Sequence, residues 1–200
     1  MVLRGPTLSL RFLVPEDAPA LFQLATDPEV TRFFSWGPYT EESEAREFIE
    51  RLAEQREAGE RLELGIVRND SDQPIGLTGF SDFSRRDRRA TVGTWLGREH
   101  WGSGANNESK ALVLSLGFRH LHLHRITALA SPDNRRSLRA LERLGFWTEG
   151  VLRDWHLHDD VARDVAILRM LEDRFAKTEL AQVPYEIEGE PPAQFVVTPT

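Results

Sequence analysis

Residues His100–Ser109 read HWGSGANNES, with Gly102 and Gly104 one residue apart and a segment of helical composition directly behind them. Neither glycine has a Cβ, so both accept positive φ and let another group come close to the backbone. A helix start behind them offers N–H groups without intrahelical partners and the positive end of a dipole, a combination suited to phosphate. The same ten residues also suit a surface turn, since Gly-Ser-Gly opens loops in many proteins. The flanking segments have to decide between the two.

Upstream, Leu62–Val67, Ile75–Phe83 and Ala90–Leu96 are rich in strand formers and are separated by the polar turns NDSDQP and SRRDRR, which predicts an antiparallel meander. Before it, Leu8–Val14 reads as a strand ending at Pro15, and Ala18, Leu21, Phe22 and Ala25 have helical spacing. A second helix begins at Thr40 in TEESEAREFIERLAEQREAGE, with a Thr cap, early acidic residues, apolar Ala45, Phe48, Ile49 and Leu52, and a stop at Gly59. Downstream of the glycines, Asn106 to about Leu121 is predicted helical through Leu112, Val113 and Leu116. Arg125–Ala130 is a strand; Asp133 or Asn134 caps a helix to Leu144, and Gly145 follows it. Phe146–His156 and Val161–Met170 are two β segments joined around Asp159 and Asp160.

The order β-α-α-β-β-β-α-β-α-β-β predicts an α/β (mixed α+β) fold, a mixed central sheet flanked by helices on both faces. The crossover at the glycine loop lies where open sheets bind ligands, beyond the carboxyl ends of strands. Residues 1–176 are expected to form one domain. From Lys177 to Thr200 the prolines at 184, 191, 192 and 199 forbid regular helix. This extension is expected to pack on its own domain or on the partner in a homodimer, with QFVVT (Gln194–Thr198) as a short strand or apolar anchor.

Of the 200 residues, 40% are apolar and 28% charged, enough for a sizeable core. With no cysteine, disulfides, thiolate metal sites and covalent cysteine chemistry are excluded. The N-terminal apolar runs are broken by Arg4, Pro6, Arg11 and Pro15, so neither a signal peptide nor a membrane span is expected, and the chain reads as cytoplasmic. A formal charge of −7 argues against a nucleic-acid partner and mildly for a cationic one. His120, His122 and His124, with His156 and His158, lack i, i+4 or HExxH spacing, so no metal is expected. A Ser137, His156, Asp154 hydrolase triad would lack its GxSxG elbow.

Four stretches taken in order carry a family likeness: DPEVTRFFSWGPYTEESEAREFI, VGTWLGREHWGSGANNESK, HRITALASPDNRRSLRALERLGF and EGVLRD. Over about residues 8–172 the chain resembles the GNAT superfamily of acyl-CoA-dependent N-acyltransferases, in the branch typified by Rim-type acetylases of ribosomal-protein N-termini. The resemblance implies that acetyl-CoA is the cosubstrate, with its pyrophosphate cradled by backbone of Trp101, Gly102, Ser103, Gly104, Ala105 and Asn106. It implies pantetheine pairing along the strand that ends at Leu96, and Asn134 and Ser137 beside the thioester. Three positions depart from the family pattern. Glu99 stands where Gln or Arg is usual, Leu141 where many members carry a thiolate-protonating tyrosine, and Thr91 where a glutamate base is frequent.

Acetyl transfer to an amine needs an acceptor for the amine proton and a donor for the departing thiolate. Ser137 is the candidate donor, or an ordinary first-turn serine. Asp154, His156 and His158 alternate along a predicted strand and so share a face. That face is either a solvent-facing polar row or a cleft wall in which His156 is the base and Asp154 orients it. Asp82 is a further carboxylate candidate. Phe34, Trp36 and Trp155, with Phe33, are candidate contacts for the amine acceptor or, for Phe33 and Phe34, plain core. The expectation is an N-acetyltransferase acting on a primary amine, foremost a protein or peptide α-amine, by direct attack in a ternary complex. The alternatives are a small amine such as an aminoglycoside, polyamine or amino acid, and a catalytically silent acyl-CoA-binding or interaction module.

Overall fold

A run of hairpins and one helical crossover build the sheet. In the computed structural model, which describes residues 1–158 and 160–197, the chain opens with β1 (Val2–Arg4), β2 (Leu8–Arg11), α1 (Ala18–Ala25), the single turn α2 (Pro28–Thr31) and α3 (Glu42–Glu57). The meander is β3 (Leu62–Arg68), β4 (Pro74–Ser84) and β5 (Arg89–Leu96), followed by α4 (Ala105–Ser115), β6 (Arg125–Ala130) and α5 (Arg135–Arg143). A long hairpin, β7 (Trp147–His158) and β8 (Val161–Leu171), precedes α6 (Glu172–Phe175) and β9 (Glu186–Glu188). The nine strands lie in the order β7-β8-β6-β5-β4-β3-β2-β1-β9. Only β5 and β6, joined through α4, run parallel; the other neighbours are antiparallel.

Helices cover both faces, as the element order implies. On one face, α1 and α3 bury Ala18, Leu21, Ala45, Ile49 and Leu52 against Leu77 of β4, with Trp95 of β5 packed alongside. On the other, α4 sends Ala111, Leu112, Val113 and Leu114 into the larger core with Leu10, Leu64, Phe80 and Ile126. Because neighbouring strand residues point to opposite faces, the pair Leu77↔Trp95 looks toward α1 and α3. The next pair, Thr78↔Thr94, looks toward α4. No helix among the described residues is long and apolar enough to cross a membrane.

Several boundaries differ from the sequence reading. The first core strand stops at Arg11, three residues short of Val14, and Pro15–Asp17 forms a 3-10 turn ahead of α1. Thr40 sits one residue ahead of the helix cap; Glu44 reaches back to accept from the Thr40 and Glu41 N–H groups at 2.7 and 3.0 Å. The α4 segment ends at Ser115 and continues as a π-helical turn, Leu116–His120. The strands β1 and β9 have no signal in a window of local sequence, since their partners lie at opposite ends of the chain: Val2 pairs with Glu188 and Arg4 with Glu186.

The C-terminal segment lies on the body of the same chain. Phe195 is 1% exposed, its ring 4.8 Å from that of Phe83, and the N–H of Val197 donates to the Leu121 carbonyl at 3.1 Å. Within QFVVT the described residues form no strand; Ala193–Phe195 is a 3-10 turn, and Phe195 and Val197 are buried. Thr198, like Asp159 of the β7–β8 turn, lies outside the described residues.

Candidate active site

The glycine loop is held at both ends by side chains. The Trp101 indole N–H donates to the Leu96 carbonyl at 2.9 Å, and the Arg136 guanidinium carbon lies 3.2 Å from the centre of the Trp101 ring. Gly102 and Gly104 have φ of +77° and +94°, and a Cβ built on either would meet nothing within 4 Å. That space belongs to a concavity in front of the helix. The N–H groups of Gly102, Ser103, Gly104 and Asn106 donate to no acceptor among the described residues. Ser103 closes the turn instead, its hydroxyl donating to the His100 carbonyl at 2.8 Å and accepting from the Ala105 N–H at 3.3 Å. Four free N–H groups around an open hollow at the N-terminus of an 11-residue helix fit a pyrophosphate.

Behind the loop the sheet opens. The parallel ladder between β5 and β6 runs from Arg89↔Arg125 to Val92↔Ala128 and stops. Beyond it, Gly93 to Leu96 stay paired to β4, while Leu129 and Ala130 stay paired to β8. The two strands therefore diverge and leave one edge of β5 unpaired. A cavity of about 600 Å³ fills the gap. Its walls are Val92–Leu96, Ala128–Ser131, the loop at Trp101, Gly102 and Gly104, and the exposed side of α5 from Asn134 to Leu144. Asn134 caps α5, its Oδ1 accepting from the Ser137 N–H at 3.1 Å, which fixes Ser137 on the first turn at the cavity wall. Glu29, Val30, Phe33 and Phe34 close the opposite side. Trp36 stands behind Phe34, the rings 5.2 Å apart, and is 5.4 Å from the ring of Trp95.

The cavity thus gathers Leu96, Trp101, Gly102, Gly104, Asn106, Asn134, Ser137 and Phe34 from the residues singled out in the sequence. Ser103 and Ala105 complete the loop without lining the cavity, and Trp36 supports Phe34 from behind. Asp82, Asp154, Trp155 and His156 are not brought to it. Asp82 takes a left-handed φ of +52° beside a bulge in β4. The expected alternation of Asp154 and His156 is interrupted by a second bulge. Leu152 pairs with Val165 and His156 with Arg163, so Arg153, Asp154 and Trp155 stand opposite Asp164 alone. Two extra residues leave His156 in phase with Leu152, and the period of two fails only within Arg153–Trp155. Here Asp154 takes φ +49° and its N–H donates to Asp164 at 3.1 Å. Trp155 is exposed on this outer hairpin. Ser137 lines the cavity and His156 does not, and no hydrogen bond joins them among the described residues. Leu141, at the position of the usual tyrosine, lines the cavity with an apolar side chain. His120 bonds Tyr185, Nε2 to Oη at 2.9 Å, and no group of three metal-ligating side chains comes together among the described residues.

Among the cavity residues that the sequence reading did not single out, Lys110 stands apart. Lys110 is buried at 4% exposure in the second turn of α4, and its Nζ donates to Thr94 Oγ1. Thr94 is itself 2.6 Å from Thr78 Oγ1 and donates to the Gly93 carbonyl at 2.7 Å. No carboxylate among the described residues pairs with the amine, and burial pushes its pKa down from the ordinary 10.5 to about 7. The available signal was register: Lys110 falls on the stripe continued by Val113 and Leu114, where an apolar residue is expected.

Comparison with known proteins gives a consistent picture. Residues 7–147 match the model of the acetyltransferase (GNAT) domain. The N-acetyltransferase p20 of Bacillus licheniformis, itself uncharacterized, is 35% identical over 169 residues, spanning 84% of this chain and 95% of that one. The [ribosomal protein uS5]-alanine N-acetyltransferase of Escherichia coli is 34% identical over 107 residues, 53% of this chain and 55% of its own. Among solved structures, the microcin C7 self-immunity acetyltransferase MccE, in complex with acetyl-CoA and AMP, superposes with a TM-score of 0.75 at 21% identity, covering 84% of this chain and 93% of that one.

Proposed function

The chain belongs to the acetyltransferase (GNAT) family, and from that premise we propose that its acceptor is the α-amino group of a protein or peptide, as in the Rim-type branch. Acetyl-CoA supplies the activated thioester. The observation that carries the reading is the cavity where β5 and β6 part, with unpaired N–H groups at its mouth and one edge of β5 free along its wall. In this reading the loop from Trp101 to Asn106 binds the pyrophosphate, and the free backbone edge from Gly93 to Leu96 pairs with the amides of the pantetheine arm. Ser137 donates a hydrogen bond to the leaving sulfur. Phe34, backed by Trp36, forms the acceptor wall. The attacking nitrogen forms the amide bond as the carbon–sulfur bond breaks, and the amine's proton leaves to solvent.

Two features favour an α-amine. Deprotonation is modest work there, because an α-amino group has a pKa of about 8 against about 10.4 for lysine, so a site without a carboxylate base beside the thioester suffices. Charge argues against polyamines and aminoglycosides. The cavity wall carries one carboxylate, Glu29, which pairs with Arg32 at 3.6 Å, against the guanidiniums of Arg136 and Arg143. That balance suits the phosphates of CoA and repels a polycation. The E. coli relative's named acceptor, an alanine of a ribosomal protein, is of the proposed kind. The test is thiol release from acetyl-CoA with a panel of peptides with free N-termini, their N-blocked lysine-containing counterparts, spermidine and an aminoglycoside. Turnover with free-N-terminus peptides alone supports the reading; turnover confined to small amines refutes it.

A further inference from the structure

Lys110 is the buried charge that the proposed reaction leaves unused. On a helix the Cα–Cβ bond tilts toward the N-terminus, here the end that carries the glycine loop. The loop begins about 7–8 Å away along the axis, at 1.5 Å per residue. The stem ends at Thr94, on the stretch of β5 that has already parted from β6, and the residue lines the cavity. The elements packed around it bring no counter-charge. On α4 itself, Glu108 is committed to the N–H groups of Thr7 and Leu8 at 2.7 and 2.8 Å and to the Thr7 hydroxyl. β4 and β5 present the hydroxyls of Thr78 and Thr94, and β2 contributes Leu8 and Leu10 to the shared core. Glu179, on the turn packed against α4, is exposed. Across the cavity stand Glu29, Arg136 and Arg143, and burial alone accounts for the shift of the amine.

We infer that Lys110 is a proton-coupled part of the acyl-CoA site: its amine is largely neutral in the free protein at mildly alkaline pH and takes up a proton when the phosphates of CoA enter the cradle. The inference rests on the reading of this cavity as the CoA site. Thr94 suits both states, since ammonium and neutral amine alike carry N–H donors to its oxygen while its own proton stays on the Gly93 carbonyl. Among the described residues the buried amine donates only to Thr94, so without bound anions the cost of a buried ammonium is poorly offset. With them, opposite charge in a low-dielectric cavity favours the charged form. By linkage, whatever raises the proton affinity of Lys110 on binding makes CoA affinity fall as pH rises. The device adds a further positive charge to those of Arg136 and Arg143 only when the phosphates arrive.

The test is calorimetric titration of CoA into the full chain at pH 8, in two buffers of different ionisation enthalpy, together with dissociation constants from pH 7 to 9. The wild type is expected to take up close to one proton per site. Its Kd is expected to rise by up to tenfold per pH unit across that range. Lys110→Met should show an uptake near zero and a flat Kd. Lys110→Arg, whose guanidinium stays charged at all these pH values, should bind without uptake. Equal uptake in wild type and Lys110→Met overturns the inference, as does a wild-type Kd that does not change with pH. Uptake can then fail while CoA still binds, which refutes the role of Lys110 alone; absence of CoA binding in the wild type refutes the cavity assignment as well.

Discussion

Replacing Lys110 with methionine should make the free protein more stable, by an amount that shrinks as pH rises. Burial lowers the pKa of this amine from 10.5 to about 7 in the folded chain, so between those values the unfolded chain binds more protons than the native one. Stability contributed by this residue therefore rises with pH across that window, and the full cost is felt below about pH 7. At about 1.4 kcal/mol per pH unit, the cost is about 5 kcal/mol below pH 7 and about 2 kcal/mol at pH 9. Methionine has similar length and no charge, and it gives up the hydrogen bond to Thr94, worth about 1 kcal/mol. Thr94 keeps its contacts with Thr78 and the Gly93 carbonyl. The net expectation is a gain of about 4 kcal/mol at pH 6.5 and about 1 kcal/mol at pH 9. For a chain of this size the first figure corresponds to a rise in Tm on the order of 10 °C. Guanidinium denaturation without CoA, at both pH values, measures it. A variant no more stable than wild type at pH 6.5, or equally stabilised at both values, would refute the desolvated, uncompensated amine.

Gly104→Val places a branched side chain at φ +94° in the hollow of the cradle, and is expected to abolish the rise in Tm that CoA produces, with the fold retained at reduced stability; an undiminished shift removes the cradle. Ser137→Ala should lower turnover by about 10- to 100-fold with little change in CoA affinity, whereas His156→Ala, on the outer hairpin, should stay within about twofold; steady-state kinetics on both variants decides, and the reverse ranking would return the histidine to the reaction. Phe195→Ala removes a ring that is 1% exposed and should cost about 3–5 kcal/mol, read by the same denaturation; a loss under 1 kcal/mol would mean that the C-terminal segment contributes little to the core.

Much of the architecture can be read from local sequence. The meander, the helices on either side of it and the crossover at HWGSGANNES rest on alternation, 3.6-residue spacing, caps and turn residues, all of which act within a few positions. The glycine loop was legible for the same reason: positive φ and a helix start directly behind it are local properties. Asn134 was legible as one of two candidate caps, and the structure gives it that place, its Oδ1 accepting from the Ser137 N–H.

What only the tertiary structure decided are the properties set by partners far away along the chain. Whether a strand alternates or bulges depends on its neighbour's hydrogen-bond register. Three residues of β7 opposite one of β8 take Asp154 out of alternation with His156, and both are left away from the cavity. Whether β5 and β6 stay paired depends on where each finds its other partner, and their separation after Val92↔Ala128 is what makes the cavity. The short strand β1 and the edge strand β9 exist only through each other and β2, pairing Val2 with Glu188. Lys110 looks from sequence like one charge too many on an apolar stripe. Its altered chemistry comes from burial against the β-sheet beneath it. Local sequence determines conformation because backbone preference acts over a few bonds. Register and desolvation are sums over everything that packs against a residue, and they acquire values only once the chain has closed on itself.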